Sequence, residues 1–177
     1  MAENGRYIHI GTGESHADDG QEALRARRAR TRRLLWQWGN TLTRIRRLEQ
    51  ERTAFAEMAA DARRTLRSPA MNGMPRGGRT SDLSDVVVRV MDEAERYERQ
   101  ADRINLEIDD AIRFRNCIEG CISGLTPLQE SILTYRYIDV RSWRFIAMKL
   151  NYDEGHLRKI EAQAVDAISD MIEIQTV

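Results

Sequence analysis

Leu83, Val87, Val90, Ala94, Tyr97, Ala101, Ile104, Ile108 and Ala111 recur four and three residues apart without a break. A strand repeats every second residue, so this spacing excludes a sheet and fits one face of a helix. Arg115 interrupts the seam once, and Ile118, Ile122 and Leu125 resume it. Sustained over about six heptads, such a seam predicts a coiled-coil helix, here over roughly 82–123. Upstream, from Gln21 to Leu66, there is no Pro and the only Gly is Gly39. Leu35, Trp38, Leu42 and Ile45, then Leu48, Phe55, Ala59, Ala62 and Leu66 after a phase shift, predict a second amphipathic helix over roughly 21–66.

Between the two lies Ser68–Thr80, with two Pro and three Gly, which predicts a loop over 67–81. A short connection between long helices predicts an antiparallel hairpin. Charge agrees with that pairing. The chain is neutral overall, with 28 basic and 28 acidic residues. Residues 21–70 nevertheless hold 13 Arg against 5 acids, whereas 81–124 hold 6 Arg against 11 acids. Opposite flanks beside an apolar seam choose the partner, while apolar burial supplies most of the stability. The same basic stripe also suits DNA phosphates, and the same seam suits a homodimer in which each long helix meets its twin. Residues 1–20 are polar and Gly-dotted and are expected to be disordered.

Several function classes drop out. With 11 Gly and 3 Pro there are too few turn residues for an all-β chain. No apolar run approaches the length of a membrane span, and Met-Ala-Glu-Asn-Gly lacks the features of a signal peptide, so a cytoplasmic protein without membrane partners is expected. Cys117 and Cys121 stand four apart, too few for a disulfide framework or a zinc site; both are expected on the helix seam, with no metal. There is no Gly-rich phosphate loop and no His-Glu-x-x-His. Neither an enzyme nor a cofactor is expected.

Residues 125–177 read as a separate head of three helices. Thr126-Pro127-Leu128-Gln129 is a helix start: Thr as N-cap, Pro at the first position, Gln able to close a capping box. That helix is expected to run to about Tyr137. Ser142 is expected to cap a second helix, Trp143 to Leu150, and Asp153 a third, to about Ile172. Ala147 is small where two helices cross, and Asn151 stands where a positive φ is needed. Leu157 and Ile160, with Ile146 and Leu150, point back into a small core. That is helix-turn-helix spacing. The fold expected for the whole is all-α: a long antiparallel helical hairpin followed by a three-helix helix-turn-helix head.

Leu125-Thr126-Pro127-Leu128-Gln129-Glu130-Ser131-Ile132-Leu133, then Tyr135-Arg136-Tyr137-Ile138, resembles the start of the fourth conserved region of sigma factors. Ser142-Trp143-Arg144-Phe145-Ile146-Ala147 and Leu157-Arg158-Lys159-Ile160-Glu161 continue it. With the long helical part before it, the chain is similar to phage-encoded ArpU/RinA-type transcriptional regulators. The resemblance implies a regulator that binds double-stranded DNA, with RNA polymerase as a further partner. The family's recognition helix opens with an Arg-Glu pair, whereas Glu154 and Gly155 stand there here; its basic end is replaced by Ser169-Asp170. Helix-turn-helix thus carries over, and reading of a standard promoter element does not.

On this reading Asp153, Glu154, His156, Arg158 and Lys159 open the helix that enters the major groove. Arg158 or Lys159 would donate to guanine, and Asp153 or Glu154 would accept from cytosine. Arg141 and Arg144 are expected on phosphates. Glu161 is expected to face outward beside Arg158. Two other readings fit the same pattern: a coiled-coil protein-interaction factor, or a DNA-packaging accessory protein, with the head as a helical cap.

Overall fold

A computed structural model of the chain describes residues 15–67 and 80–176. Every element in them is helical: α1 (Ser15–Arg67), α2 (Thr80–Ile122), α3 (Pro127–Leu133), a π-helical turn (Thr134–Ile138), α4 (Trp143–Leu150) and α5 (Glu154–Thr176). Residues 1–14 of the segment expected to be disordered, and 68–79 of the expected loop, lie outside the described residues. From residue 15 the expectation of disorder fails, because α1 already begins at Ser15. Helix nucleation is the costly step and propagation is cheap, so a helix fixed by packing farther along extends through a polar stretch. Gly20 costs this extension only about 1 kcal/mol relative to Ala.

The chain divides into two compact units: residues 38–120, and residues 1–37 together with 121–177. This differs from the expected boundary after residue 124. The amino-terminal part of α1 belongs with the head.

The first unit is the hairpin. Leu48, Ile104 and Ile108 form its buried centre, with Ile45 and Phe55 packed against them. The order of contacts fixes the direction. Arg63 pairs with Glu98 at 2.8 Å, Arg52 donates to Asn105 at 3.4 Å, and Arg44 meets Glu107 at 4.0 Å. As numbers fall along α1 they rise along α2, so the helices are antiparallel. Phe55 and Tyr97 add an aromatic contact at 6.2 Å. Ala59 and Ala94 are also buried.

The seam on α2 follows the expected register through Ala94, Ile104, Ile108, Ala111, Ile118 and Ile122, all buried. Val87 departs from it and is 42% exposed; the Leu83 side chain lies outside the described ones. Cys121 is buried as expected, but Cys117 is exposed and off the seam.

On α1 the expected stripe needs correction. Leu35 and Trp38 are buried as expected, but Leu42 is 42% exposed, and Thr41 is buried at 4% instead. No phase shift occurs. Thr31, Leu34, Trp38, Thr41, Ile45, Leu48, Arg52, Phe55, Ala59, Ala62 and Leu66 keep an unbroken three-four alternation. All of them are buried or half-buried except Arg52. Hydropathy alone misses this register because three of its positions are polar. Buried threonines are tolerated in a helix because the hydroxyl can return to a backbone carbonyl, and Thr31 Oγ1 donates to Arg27 O at 3.2 Å.

Candidate nucleic-acid interface

The head is assembled by local signals at each helix end. Thr126 Oγ1 accepts from the Gln129 backbone N–H, and Gln129 Oε1 accepts from the Thr126 N–H at 3.0 Å. That reciprocal box starts α3, with Pro127 in the first turn. Ser142 Oγ accepts from the Phe145 N–H and starts α4. Asn151 ends α4 at φ 58° and ψ 46°, the left-handed conformation expected from its position. Asp153 Oδ2 accepts from the Gly155 N–H at 2.7 Å and the His156 N–H at 3.2 Å, capping α5.

Ile132, Ile146 and Leu157 are fully buried at the centre, with Leu128, Tyr135, Trp143, Ala147, Leu150 and Ile160 around them. This core contains every residue the spacing assigned to it. Ala147 lets α4 approach its neighbours, and Leu157 and Ile160 fix which face of α5 turns inward.

The first helix of the head does not run on to Tyr137 as one regular helix. Its last turn is π-helical, with the Asp139 N–H on Thr134 O at 3.0 Å. Tyr137, in that turn, is buried at 3% and donates to Glu161 Oε1 at 2.7 Å. Val140 follows with φ 53°, an unusual value for a β-branched residue.

The expected outward position of Glu161 is overturned. Glu161 is only 3% exposed. Arg32 of α1 grips it with two hydrogen bonds, Nε to Oε1 at 2.9 Å and Nη2 to Oε2 at 2.7 Å. These bonds push the Arg32 guanidinium above its ordinary pKa. Burial and the bond to Glu161 push the Tyr137 hydroxyl up as well. Farther along, Arg28 holds both oxygens of Asp166 at 2.7 and 2.6 Å. Arg27 donates to Ser169 Oγ at 2.8 Å and pairs with Asp170.

Three successive arginine contacts therefore clasp α1 to α5. They give Ser169 and Asp170 a partner on α1, and they account for residues up to 37 belonging to this unit. Arg27, Arg28 and Arg32, in the most basic stretch of α1, thus find acids on α5, whereas the expected partner was α2. The Arg28 and Arg32 pairs are bidentate and partly buried, and such pairs are stronger than exposed single contacts.

The seven residues proposed for DNA divide by what already holds them. Arg144 and Lys159 are exposed. Arg141 is exposed and lies 5.1 Å over the Phe145 ring. His156 stacks on Tyr152 at 5.7 Å. Arg158 sits 5.3 Å over the Trp143 ring and 3.7 Å from Glu154. Asp153 commits Oδ2 to the cap, and its other oxygen can still accept. Glu154 is divided between the first turn and Arg158.

Sequence reasoning passed over Gln163. It is exposed four residues after Lys159 and seven after His156, on the same helical face. That spacing was the signal available. Gln can bind adenine with two hydrogen bonds.

Among the described residues no helix is long and apolar enough to cross a membrane. No protein-family model, curated protein or solved structure matches the chain.

Proposed function

We propose that this protein is a sequence-specific DNA-binding transcriptional regulator of the phage ArpU/RinA type. Its sigma-like helix-turn-helix would lay α5 in the major groove, and RNA polymerase is a further partner that the resemblance suggests. One observation carries the reading. Leu157, Ile160 and Ala164 turn one face of α5 into the core, while His156, Lys159 and Gln163 form an exposed row beside it, after a left-handed turn at Asn151. A helix displayed this way beside a second short helix suits base reading at its amino-terminal end. Lys159 is the guanine donor, Gln163 the adenine partner, and Arg141 and Arg144 are phosphate contacts.

Selection of bound sequences from a random duplex pool, followed by titration of the selected site, tests it. A recovered consensus is expected. Lys159→Ala should cost about 1–3 kcal/mol at one base position and relax specificity there. Arg144→Ala should weaken all sequences alike and flatten the log–log salt slope by about one. Recovery of no consensus sinks the reading.

The coiled-coil interaction factor is favoured by a different observation. Val86, Val87, Val88 and Met91 of α2 are 52%, 42%, 54% and 39% exposed, an apolar stretch on a charged helix. That account takes the lead if neither Arg158→Ala nor Lys159→Ala alters DNA binding.

A further inference from the structure

Four side chains form an alternating ladder of rings and cations within the head unit. The Arg136 guanidinium lies 5.5 Å from the Trp36 ring centroid and 5.3 Å from that of Trp143. The Arg158 guanidinium lies 5.3 Å from the same Trp143 ring. Trp36 also meets Tyr137 edge-on at 5.1 Å. Four separate elements supply these groups: α1, the π-helical turn, α4 and α5. Together with Arg32 and Glu161 they line an open cleft of about 320 Å³, the small end of the range for small-ligand sites, about 300–1,000 Å³.

The charges in this cleft do not cancel. Arg32, Arg136 and Arg158 face a single acid, Glu161. Both oxygens of Glu161 are occupied by Arg32, and one also by Tyr137. Two guanidiniums are left over. Arg158 has Glu154 beside it, outside the cleft, in one loose contact at 3.7 Å. Arg136 donates from Nη1 to the Arg141 carbonyl at 3.1 Å, which leaves other N–H groups of its fork.

A guanidinium within about 6 Å of a ring centroid is attracted to the ring face, while its fork of N–H donors stays available to a ligand. The indoles are already engaged by these cations, so the cleft offers a ligand little ring surface for stacking. It offers two guanidiniums with N–H groups to spare, and guanidinium forks suit bidentate capture of a phosphate.

We infer that this cleft is a phosphate-binding site, with Arg136 and Arg158 as its ligating groups and Trp36 and Trp143 as the platforms that orient them. The phosphate can be a diester of a nucleic-acid backbone or a free phosphate. The site does not depend on base reading by α5.

Titration of the full chain with inorganic phosphate, against chloride at matched ionic strength, tests the site. Tryptophan fluorescence and calorimetry supply the readouts. A saturable change is expected, weakened at least tenfold in both Arg136→Gln and Arg158→Gln and unchanged in Arg113→Gln, a surface arginine of the hairpin. Arg158 is an exposed residue, so its variant keeps the test decisive even if Arg136→Gln fails to fold.

A competition arm then identifies the source. Displacement of a duplex of arbitrary sequence by phosphate at constant ionic strength assigns the site to the DNA backbone; saturable phosphate binding without displacement assigns it to a free phosphate. No saturable response beyond chloride, or a response indifferent to Arg158→Gln, overturns the inference. Failure to select a DNA consensus would instead sink the regulator reading and leave the phosphate response standing.

Discussion

Glu161 holds Arg32 with both carboxylate oxygens and takes the Tyr137 hydroxyl as well. Truncating it strands a buried hydroxyl and a guanidinium together. Loss of one partner from a fully buried ion pair costs about 3–5 kcal/mol. The Arg32 side chain is 40% exposed and can turn to water, so Glu161→Ala should cost less, about 2–3 kcal/mol, in urea denaturation of the full chain.

Val140 gives a prediction of opposite sign. Its φ of 53° strains a β-branched residue that is 61% exposed and has little packing to lose. Val140→Gly should raise stability by about 0.5–1 kcal/mol, measured the same way. At this scale the sequence was legible where one residue type answers one local need: Thr126, Ser142 and Asp153 as caps, Asn151 at the left-handed turn. Glu161 was not legible, because the partners that bury it stand 129 and 24 residues away. Charge beside a helix surface reads as solvent until such partners are known.

Among the elements, α1 and α5 are joined by charge and so are open to acid. The Arg28 hydrogen bonds hold the Asp166 carboxyl below its ordinary value of 3.8. A depressed folded-state pKa contributes stability that is fully present above the unfolded value and drains away as pH falls through the lower folded one. Thermal stability should therefore hold from pH 7 to 5 and fall below about pH 4, with Asp166→Asn showing a shallower acid limb in circular dichroism melts. The seam of α2 was readable because its positions are nearly all apolar. That of α1 was half readable, because Thr31, Thr41 and Arg52 occupy positions of the same register that hydropathy cannot see. The π-helical turn left no sequence signal: α3 was expected to continue regularly to Tyr137, and nothing in Thr134–Ile138 distinguishes a π turn from an α turn before Tyr137 is placed on Glu161.

For the whole molecule, the all-α architecture and the order hairpin then head follow from the seam, the Pro/Gly break and the caps. The division into units does not, since a helix that looks uniform along its length gives no sign that residues up to 37 belong elsewhere. A fragment of residues 121–177 would lack Arg27, Arg28, Arg32 and Trp36. It should melt at a lower temperature than the head does in the full chain, followed by near-ultraviolet circular dichroism at Trp143. A fragment melting as high as the full chain would mean that the arginine clasp adds nothing to the head.

The clasp also bears on how such a gene can change over time. Arg28 and Asp166 are 138 positions apart, yet each is the other's immediate neighbour. Drift at one end of the reading frame is therefore constrained by the other end, while the stretch between is free of that particular debt. Recombination that brought in a foreign head after Gly124 would leave Arg27, Arg28 and Arg32 without the carboxylates that meet them. Lineages of this protein should inherit their first and last fifths as a matched set, with paired substitutions at 28 and 166 and at 32 and 161 arising together.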